Sequence, residues 1–230
     1  MKTALKSFIY SFYFAKISLK NYLPLILYLV ISQFLIMITQ NILLVLVFFV
    51  LYLIASAPVA LNIFRNIIIE ENIVNSYSYF INKSFSKLFI KKIMYLAASM
   101  FLIYLAHIIV LSPFFPVEIQ EITPYLYVLF MYMIYIYTRI MFILPAASNN
   151  ISKSLKDSYV LTKGNSIRVY LMYILILVPY LLINLAISKY TGINYEFVFV
   201  FISILMQVFF TVVSSALIAY IYKDFFTEAD

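Results

Sequence analysis

Six long apolar runs divide this sequence, near residues 22–39, 42–63, 93–112, 124–146, 168–188 and 196–221. A helix crosses about 30 Å of hydrocarbon in roughly 20 residues, so each run is long enough to span a membrane. Only Thr39-Gln40-Asn41 separates the first two runs. One helix over both would reach about twice the hydrocarbon thickness at ~1.5 Å per residue, so the chain must reverse there in a tight hairpin. The segment from Ser112 to Pro124 holds Pro113, Pro116 and Pro124 with Glu118 and Glu121 and no cation, and the segment from Lys189 to Glu196 carries one charge of each sign with Gly192. These two segments and the hairpin belong on one side of the membrane.

The segments on the other side have helical periodicity. Leu5, Phe8, Ile9, Phe12 and Ala15 form one apolar stripe, Ile69, Ile73, Tyr77 and Phe80 a second, and Ile151, Leu155, Tyr159 and Thr162 a third. Such segments are too polar to cross and too apolar on one face to float free, which predicts interfacial elbow helices with lysines at headgroup level. Within them the sequence repeats a pattern, S-[FY]-x-[apolar]-x-K. It occurs as Ser11-Phe12-Tyr13-Phe14-Ala15-Lys16, Ser78-Tyr79-Phe80-Ile81-Asn82-Lys83 and Ser158-Tyr159-Val160-Leu161-Thr162-Lys163, spaced 67 and 80 residues apart. An elbow followed by two spans, repeated three times, accounts for the placement of all three copies. Gly164 stands where the third elbow must stop, and a left-handed helix end is expected there.

Composition assigns the solvent. Of 230 residues 66% are hydrophobic and 11% charged, and mean hydropathy is +1.03. A soluble domain averages roughly half apolar and a quarter charged, so this chain could not cover a globule with polar surface. The net charge of +7 does not form a basic face for nucleic acid; its cations border the apolar runs. Fifteen of the sixteen Lys and Arg residues fall in the elbow-side segments, and only Lys189 falls on the other side. By the positive-inside rule both termini are cytoplasmic. The first apolar run begins near Tyr22 and lacks a small-residue cleavage site after it, so the first span is expected to stay in the membrane. The expected fold is all-α: a polytopic membrane protein, residues 1–230 as a single integral membrane domain, with six transmembrane helices and three interfacial elbow helices.

Arg139-x5-Pro145-Ala146, followed by Ser158-Tyr159-Val160-Leu161-Thr162-Lys163-Gly164-Asn165 and Arg168, resembles the signature of a bacterial membrane-domain family. The family comprises the YciC-like inner-membrane proteins and the related membrane domain attached to some glycerophosphodiester phosphodiesterases. The sharp match covers about thirty residues, and the six-span layout is similar throughout. The resemblance implies architecture and bacterial inner-membrane location. It implies no catalysis, since no phosphodiesterase domain is expected after the last span, and the neutral Ala147-Ser148-Asn149-Asn150 replaces an acidic residue common after the PA element.

Candidate chemistry is sparse. There is no cysteine, a single histidine (His107), and no glycine-rich loop among two glycines. A lone histidine cannot build a typical zinc site, so neither a metal nor a cofactor is expected, and the chain reads as non-enzymatic. Ser203, Gln207, Thr211 and Ser214 form one polar stripe through the sixth span; Tyr132, Tyr135 and Arg139 share a face of the fourth, and Tyr180 and Asn184 one of the fifth. Small and polar residues are the usual adhesive of membrane helices, and the stripe has no ionisable group to relay a proton. Its second reading is a polar path or a lipid-headgroup pocket. Arg139, about 9 Å from the cytoplasmic end of its span and within snorkelling reach, joins Lys163 and Arg168 as candidate headgroup or phosphate contacts. The expected partners are membrane lipids, with another membrane protein as a second candidate. The leading reading is a lipid- or partner-engaging membrane protein; the alternative is a small transporter or channel on the threefold repeat.

The topology makes a direct prediction. Reporter fusions at positions 40, 118 and 192 should read as external, and fusions at 75, 155 and 230 as cytoplasmic. A cytoplasmic signal at 118 would overturn the six-span scheme.

Overall fold

The computed structural model describes residues 2–17, 19–39, 42–71, 75–81, 83, 85–111, 119–190 and 196–226, and contains no strand among them. They form α1 (Lys2–Ile17), α2 (Leu19–Thr39), α3 (Ile42–Ile69), α4 (Ser76–Ile81), α5 (Phe85–Leu111), α6 (Ile119–Ile140), α7 (Ile143–Ser148), α8 (Leu155–Leu161), α9 (Ser166–Tyr190) and α10 (Glu196–Phe226). Five stretches are long and apolar enough to cross a membrane: Val47–Ile69, Phe85–Val110, Tyr127–Ser148, Ser166–Ile183 and Val200–Phe225. Among the described residues the first expected span contributes a shorter apolar stretch, Tyr22–Gln33. α2 and α3 pack against each other as the hairpin requires, although residues 40 and 41 lie outside the described set.

α10 is the hub, touching α1, α2, α3, α7 and α9. From Ser215 to Tyr222 only Tyr220 escapes full burial, and α3 is buried just as thoroughly from Ser56 to Val59 and from Leu61 to Phe64. Ser, Ala and Gly let helix backbones approach closely, and van der Waals contact between them replaces the hydrophobic drive that lipid cannot supply. The core therefore sits at the end of the bundle where α3 and α10 finish and α5 and α9 begin. Away from it the surface is apolar, with Leu102, Ile109 and Val128 all exposed, as a lipid-facing exterior requires.

α1 packs on α10 with its small residues buried and with Phe8 and Phe12 of its apolar stripe set against the Phe209 ring at 6.3 and 5.5 Å. Ala4, Ser7 and Ser11 are buried, whereas Leu5, Ile9 and Phe12 are more than 60% exposed. The two serines donate to the carbonyls of Ala4 and Phe8 on their own helix, so their burial leaves no proton unpaired. Leu5 and Ile9 thus face outward, while Ala4, Ser7 and Ser11 with Phe8 and Tyr10 face the bundle.

The other two elbows differ from the expected continuous stripes. α3 carries on through Ile69, and Glu70 turns the chain with a left-handed φ of 59°, so Ile69 belongs to the span rather than to an elbow with Tyr77 and Phe80; Ile73 lies outside the described residues. α4 is only six residues long and is tied to α3, with the Tyr77 hydroxyl donating to the Ala55 carbonyl at 2.9 Å. Ile151 precedes the third elbow, α8, which starts after a capping box: the Ser154 hydroxyl accepts from the Asp157 N–H, and the Asp157 carboxylate accepts from the Ser154 N–H. That carboxylate is exposed, and its hydrogen bonds from Ser154 hold it below its usual range. Ahead of α8, α7 closes with Asn150 at φ 61° and the Ile151 N–H returning to the Ala146 carbonyl, a left-handed helix end that asparagine tolerates.

Gly164 has φ +88° in the turn from Thr162 to Asn165, in accordance with the expected left-handed end of α8. An added Cβ would meet nothing within 4 Å, so the conformation and not crowding demands glycine. Gly164→Ala should therefore destabilise the protein by about 1 kcal/mol and Gly164→Asn by less. Unfolding titrations of the two variants in one detergent check this; equal and negligible effects would remove the strain argument.

Candidate functional site

Polar groups converge at two places, a hydrogen-bonded knot at the basic end and a cavity deeper in the bundle. The knot begins with a proline. Pro145 has no N–H for the Met141 carbonyl and its ring crowds that oxygen. The expected span of 124–146 accordingly breaks: α6 stops at Ile140, and the Leu144 N–H takes the Met141 carbonyl at 3.1 Å. Ser158 of α8 fills the interrupted ladder. Its hydroxyl donates to the Arg139 carbonyl at 3.0 Å and accepts from the Phe142 N–H at 3.2 Å. Hydroxyls that repair broken backbone pairs are what permit proline within an apolar helix.

Arg139 closes the knot. It is 6% exposed, so it does not extend to headgroup level as snorkelling would require. Its Nε donates to the Thr162 hydroxyl (2.6 Å), Nη1 to the Tyr135 hydroxyl (3.1 Å) and Nη2 to the Tyr159 carbonyl (2.9 Å). The guanidinium carbon lies 3.7 Å from the Tyr159 ring centroid. Among the described residues it has no carboxylate partner. Hydroxyls, an aromatic face and the carbonyl end of α8 hold the charge instead.

A second cluster ties the ends of α3, α7 and α10. Arg65 Nε donates to Glu71 at 2.5 Å and Nη1 to the Ser148 carbonyl at 2.6 Å, and its guanidinium covers the Phe85 ring at 4.4 Å. The Tyr79 hydroxyl donates to the other Glu71 oxygen at 2.6 Å. Burial pulls the Glu71 carboxyl upward, but the bonds from Tyr79 and Arg65 outweigh it and leave it below its usual range. Burial first, and the Glu71 carboxylate second, push the Tyr79 phenol up to about 12. Lys223 of α10 donates to the Ile67 carbonyl and Glu70, and Lys92 of α5 to the Lys153 carbonyl. None of this wiring follows from the charge pattern alone.

The cavity, about 520 Å³, lies between α3 and α5, with α9 and α10 behind. Phe64 and Phe89, edge-to-face at 5.9 Å, stand at its basic end, and its lining residues Phe49 of α3 and Phe101 and Tyr104 of α5 are exposed. Its lining is apolar apart from hydroxyls: Tyr52, Ser56, Tyr104, Tyr137, Tyr173, Thr211, Ser214 and Ser215. No lining residue is charged. The Tyr52 hydroxyl meets Thr211 Oγ1 at 2.5 Å, and Thr211 donates its proton to the Gln207 carbonyl at 2.8 Å. Tyr52 is therefore the donor in the first bond.

The polar stripe is thus divided. Thr211 and Ser214 line the cavity; Gln207 lies beside Tyr52, and Ser203 is half-buried on the same helix away from it. Lys163 and Arg168 are exposed. Arg168 lies 4.8 Å from the Phe225 ring and borders a shallow surface hollow with Gly164 and Asn165, which neither Arg139 nor Lys163 lines. The three cations do not form one site. Tyr135 does meet Arg139, whereas Tyr132 packs on the His107 ring at 4.9 Å. His107 bonds to the Ile103 carbonyl of its own helix. Tyr180 stacks on Phe210 at 4.3 Å; the Asn184 side chain lies outside the described set. The tyrosines Tyr52, Tyr137 and Tyr173 come from three helices, and no spacing within one run could have grouped them. Among the described residues no His, Asp and Glu cluster could hold a metal. No protein-family model, curated protein or solved structure matches this chain.

The depressed Glu71 carboxyl sets a pH dependence. A group whose folded pKa lies below its unfolded one adds stability above the unfolded value, and that stability fades as pH falls through the folded one. Wild type should therefore be more stable than Glu71→Gln at neutral pH, and the gap should close as pH falls below the ordinary value of 4.5. Melting temperatures of both proteins across that range would show it; a constant gap would mean the Arg65–Glu71–Tyr79 cluster acts through shape alone.

Proposed function

We propose that this is a non-enzymatic bacterial inner-membrane protein, six spans long with both termini cytoplasmic, that holds a lipid in its central cavity. The observation that carries the reading is the cavity itself: it opens sideways between two apolar helices, and its lining holds no charge. A volume of about 520 Å³ lies within the range of small-molecule pockets, ~300–1,000 Å³. The orientation rests on the fifteen-to-one division of cations. Membership of the YciC-like group rests on the motif, whose Arg139, Pro145, Ser158, Tyr159 and Thr162 meet in one knot. The threefold repeat draws support from a recurring contact. Arg65 near the end of one two-span unit lies 5.9 Å from the Tyr79 ring of the next elbow, and Arg139 lies 3.7 Å from the ring of Tyr159, the motif's equivalent of Tyr79.

Transport of a polar solute would instead need water in the cavity. The absence of cysteine makes this easy to test. In a Ser214→Cys protein, a charged, membrane-impermeant thiol reagent should fail to label from either side, while an apolar maleimide labels from within the bilayer. Rapid labelling by the charged reagent would replace lipid holding with a water-filled path.

A further inference from the structure

We infer that the cavity selects an uncharged lipid whose head is a hydroxyl, a neutral lipid alcohol in preference to a phospholipid. The inference deepens the proposed lipid-holding role and rests on it. Charge comes first. A phosphate ester in a bilayer-depth cavity needs a cation, since an unpaired charge there is very costly. The two arginines nearest in sequence to the lining are committed elsewhere, Arg65 to Glu71 and the Ser148 carbonyl, and Arg139 to Thr162 and Tyr159. An ammonium head would equally lack a carboxylate.

Hydrogen-bond accounting narrows the class further. Each hydroxyl offers one proton and two lone pairs. Ser56 donates to the Leu53 carbonyl and Ser214 to the Thr211 carbonyl, while Tyr52 and Thr211 have given their protons as described. These four present lone pairs to the cavity. Ser215 is 6% exposed, lines the cavity, and finds no hydrogen-bond partner among the described residues, so its proton is unplaced. Tyr173, 8% exposed, faces the cavity beside Tyr137, with ring centroids 5.6 Å apart. A wall with both lone pairs and a spare proton is matched by a group that donates and accepts at once. A hydroxyl does so; an ester or quinone carbonyl only accepts. Phe49 and Phe101 flank the opening through which the tail would leave towards the acyl chains.

The test uses the whole protein in phosphatidylcholine nanodiscs and a tritiated C20 prenol with a photoactivatable diazirine in its tail. Label should fall on peptides of α3, α5 and α10 that line the cavity. Unlabelled geranylgeraniol and dioleoylglycerol, which share the alcohol but differ in tail, should both compete at about tenfold lower concentration than geranylgeranyl methyl ether or dioleoyl phosphatidic acid. Ser215→Ala should weaken labelling roughly threefold to tenfold, the loss of one hydrogen bond, and Ala97→Phe, which fills the cavity, should abolish it. If phosphatidic acid or the ether competes as well as the alcohols while Ala97→Phe still blocks, the head-group inference fails and lipid holding stands. If labelling on a folded Ala97→Phe protein is unchanged, or falls outside the cavity in wild type, both fail.

Discussion

The close approach of α3 and α10 is the contact on which the rest of the structure depends. Lipid tails are as apolar as leucine, so burying leucine against leucine gives a membrane helix little. What remains is dispersion between surfaces that fit; the buried stretch of α3 contributes Ala57 and Val59 and that of α10 Ala216 and Ala219, and the two helices pack against each other. Measured polar contacts in such bundles average only ~0.6 kcal/mol, so no single hydrogen bond can substitute for this seam. α1 joins by the same device, through Ala4, Ser7 and Ser11. The tight half fixes where the open half lies. Once α3 is held to α10 by small residues, α5 meets that pair through Phe64 and Phe89, and the space behind the phenylalanines becomes the cavity.

The basic end shows how a membrane protein accommodates a broken helix and a buried cation together. Pro145 frees backbone groups that hydrocarbon would leave unpaired at a cost of several kcal/mol each. Ser158 answers with one hydroxyl acting as donor and acceptor. The helix that carries Ser158 also carries Tyr159 and Thr162, which bind the guanidinium of Arg139. Residues scattered over twenty-four positions of sequence thus have one shared purpose, which is to seat α8 in the gap between α6 and α7. That accounts for the motif's composition through hydrogen bonding and packing.

Much of the architecture was legible because the membrane imposes it. Length and apolar runs suffice to place the five membrane-length helical stretches, since few other structures satisfy the backbone in lipid. Gly164 was legible because two glycines in 230 residues leave little ambiguity about the one beside a helix end. What was not legible depends on three dimensions. The Ile69–Phe80 stripe read as one helix because periodicity cannot detect a single left-handed residue such as Glu70. Pro145 announced a perturbation, but its consequence, a separate α7, depended on Ser158 being close by. Arg139 looked like a snorkelling residue from its position alone; besides Tyr135 one turn away, the partners that turn it inward are Tyr159 and Thr162, twenty and more residues on. Of the polar stripe, the half at Thr211 and Ser214 reaches the cavity because Tyr52 arrives from α3 to meet it.

The two halves of the molecule bear on its function in opposite ways. Every described cation–carboxylate pair lies at the basic end, where Glu70 and Glu71 answer Lys223 and Arg65. That arrangement holds the helix ends rigidly and keeps charge out of the space beyond. The cavity wall, by contrast, has only hydroxyls and aromatic rings, which interact weakly and in several geometries. A charged collar beside a neutral hollow is the arrangement on which the proposed lipid-holding role rests. The scarcity of charge along the apolar runs thus also leaves the cavity wall neutral.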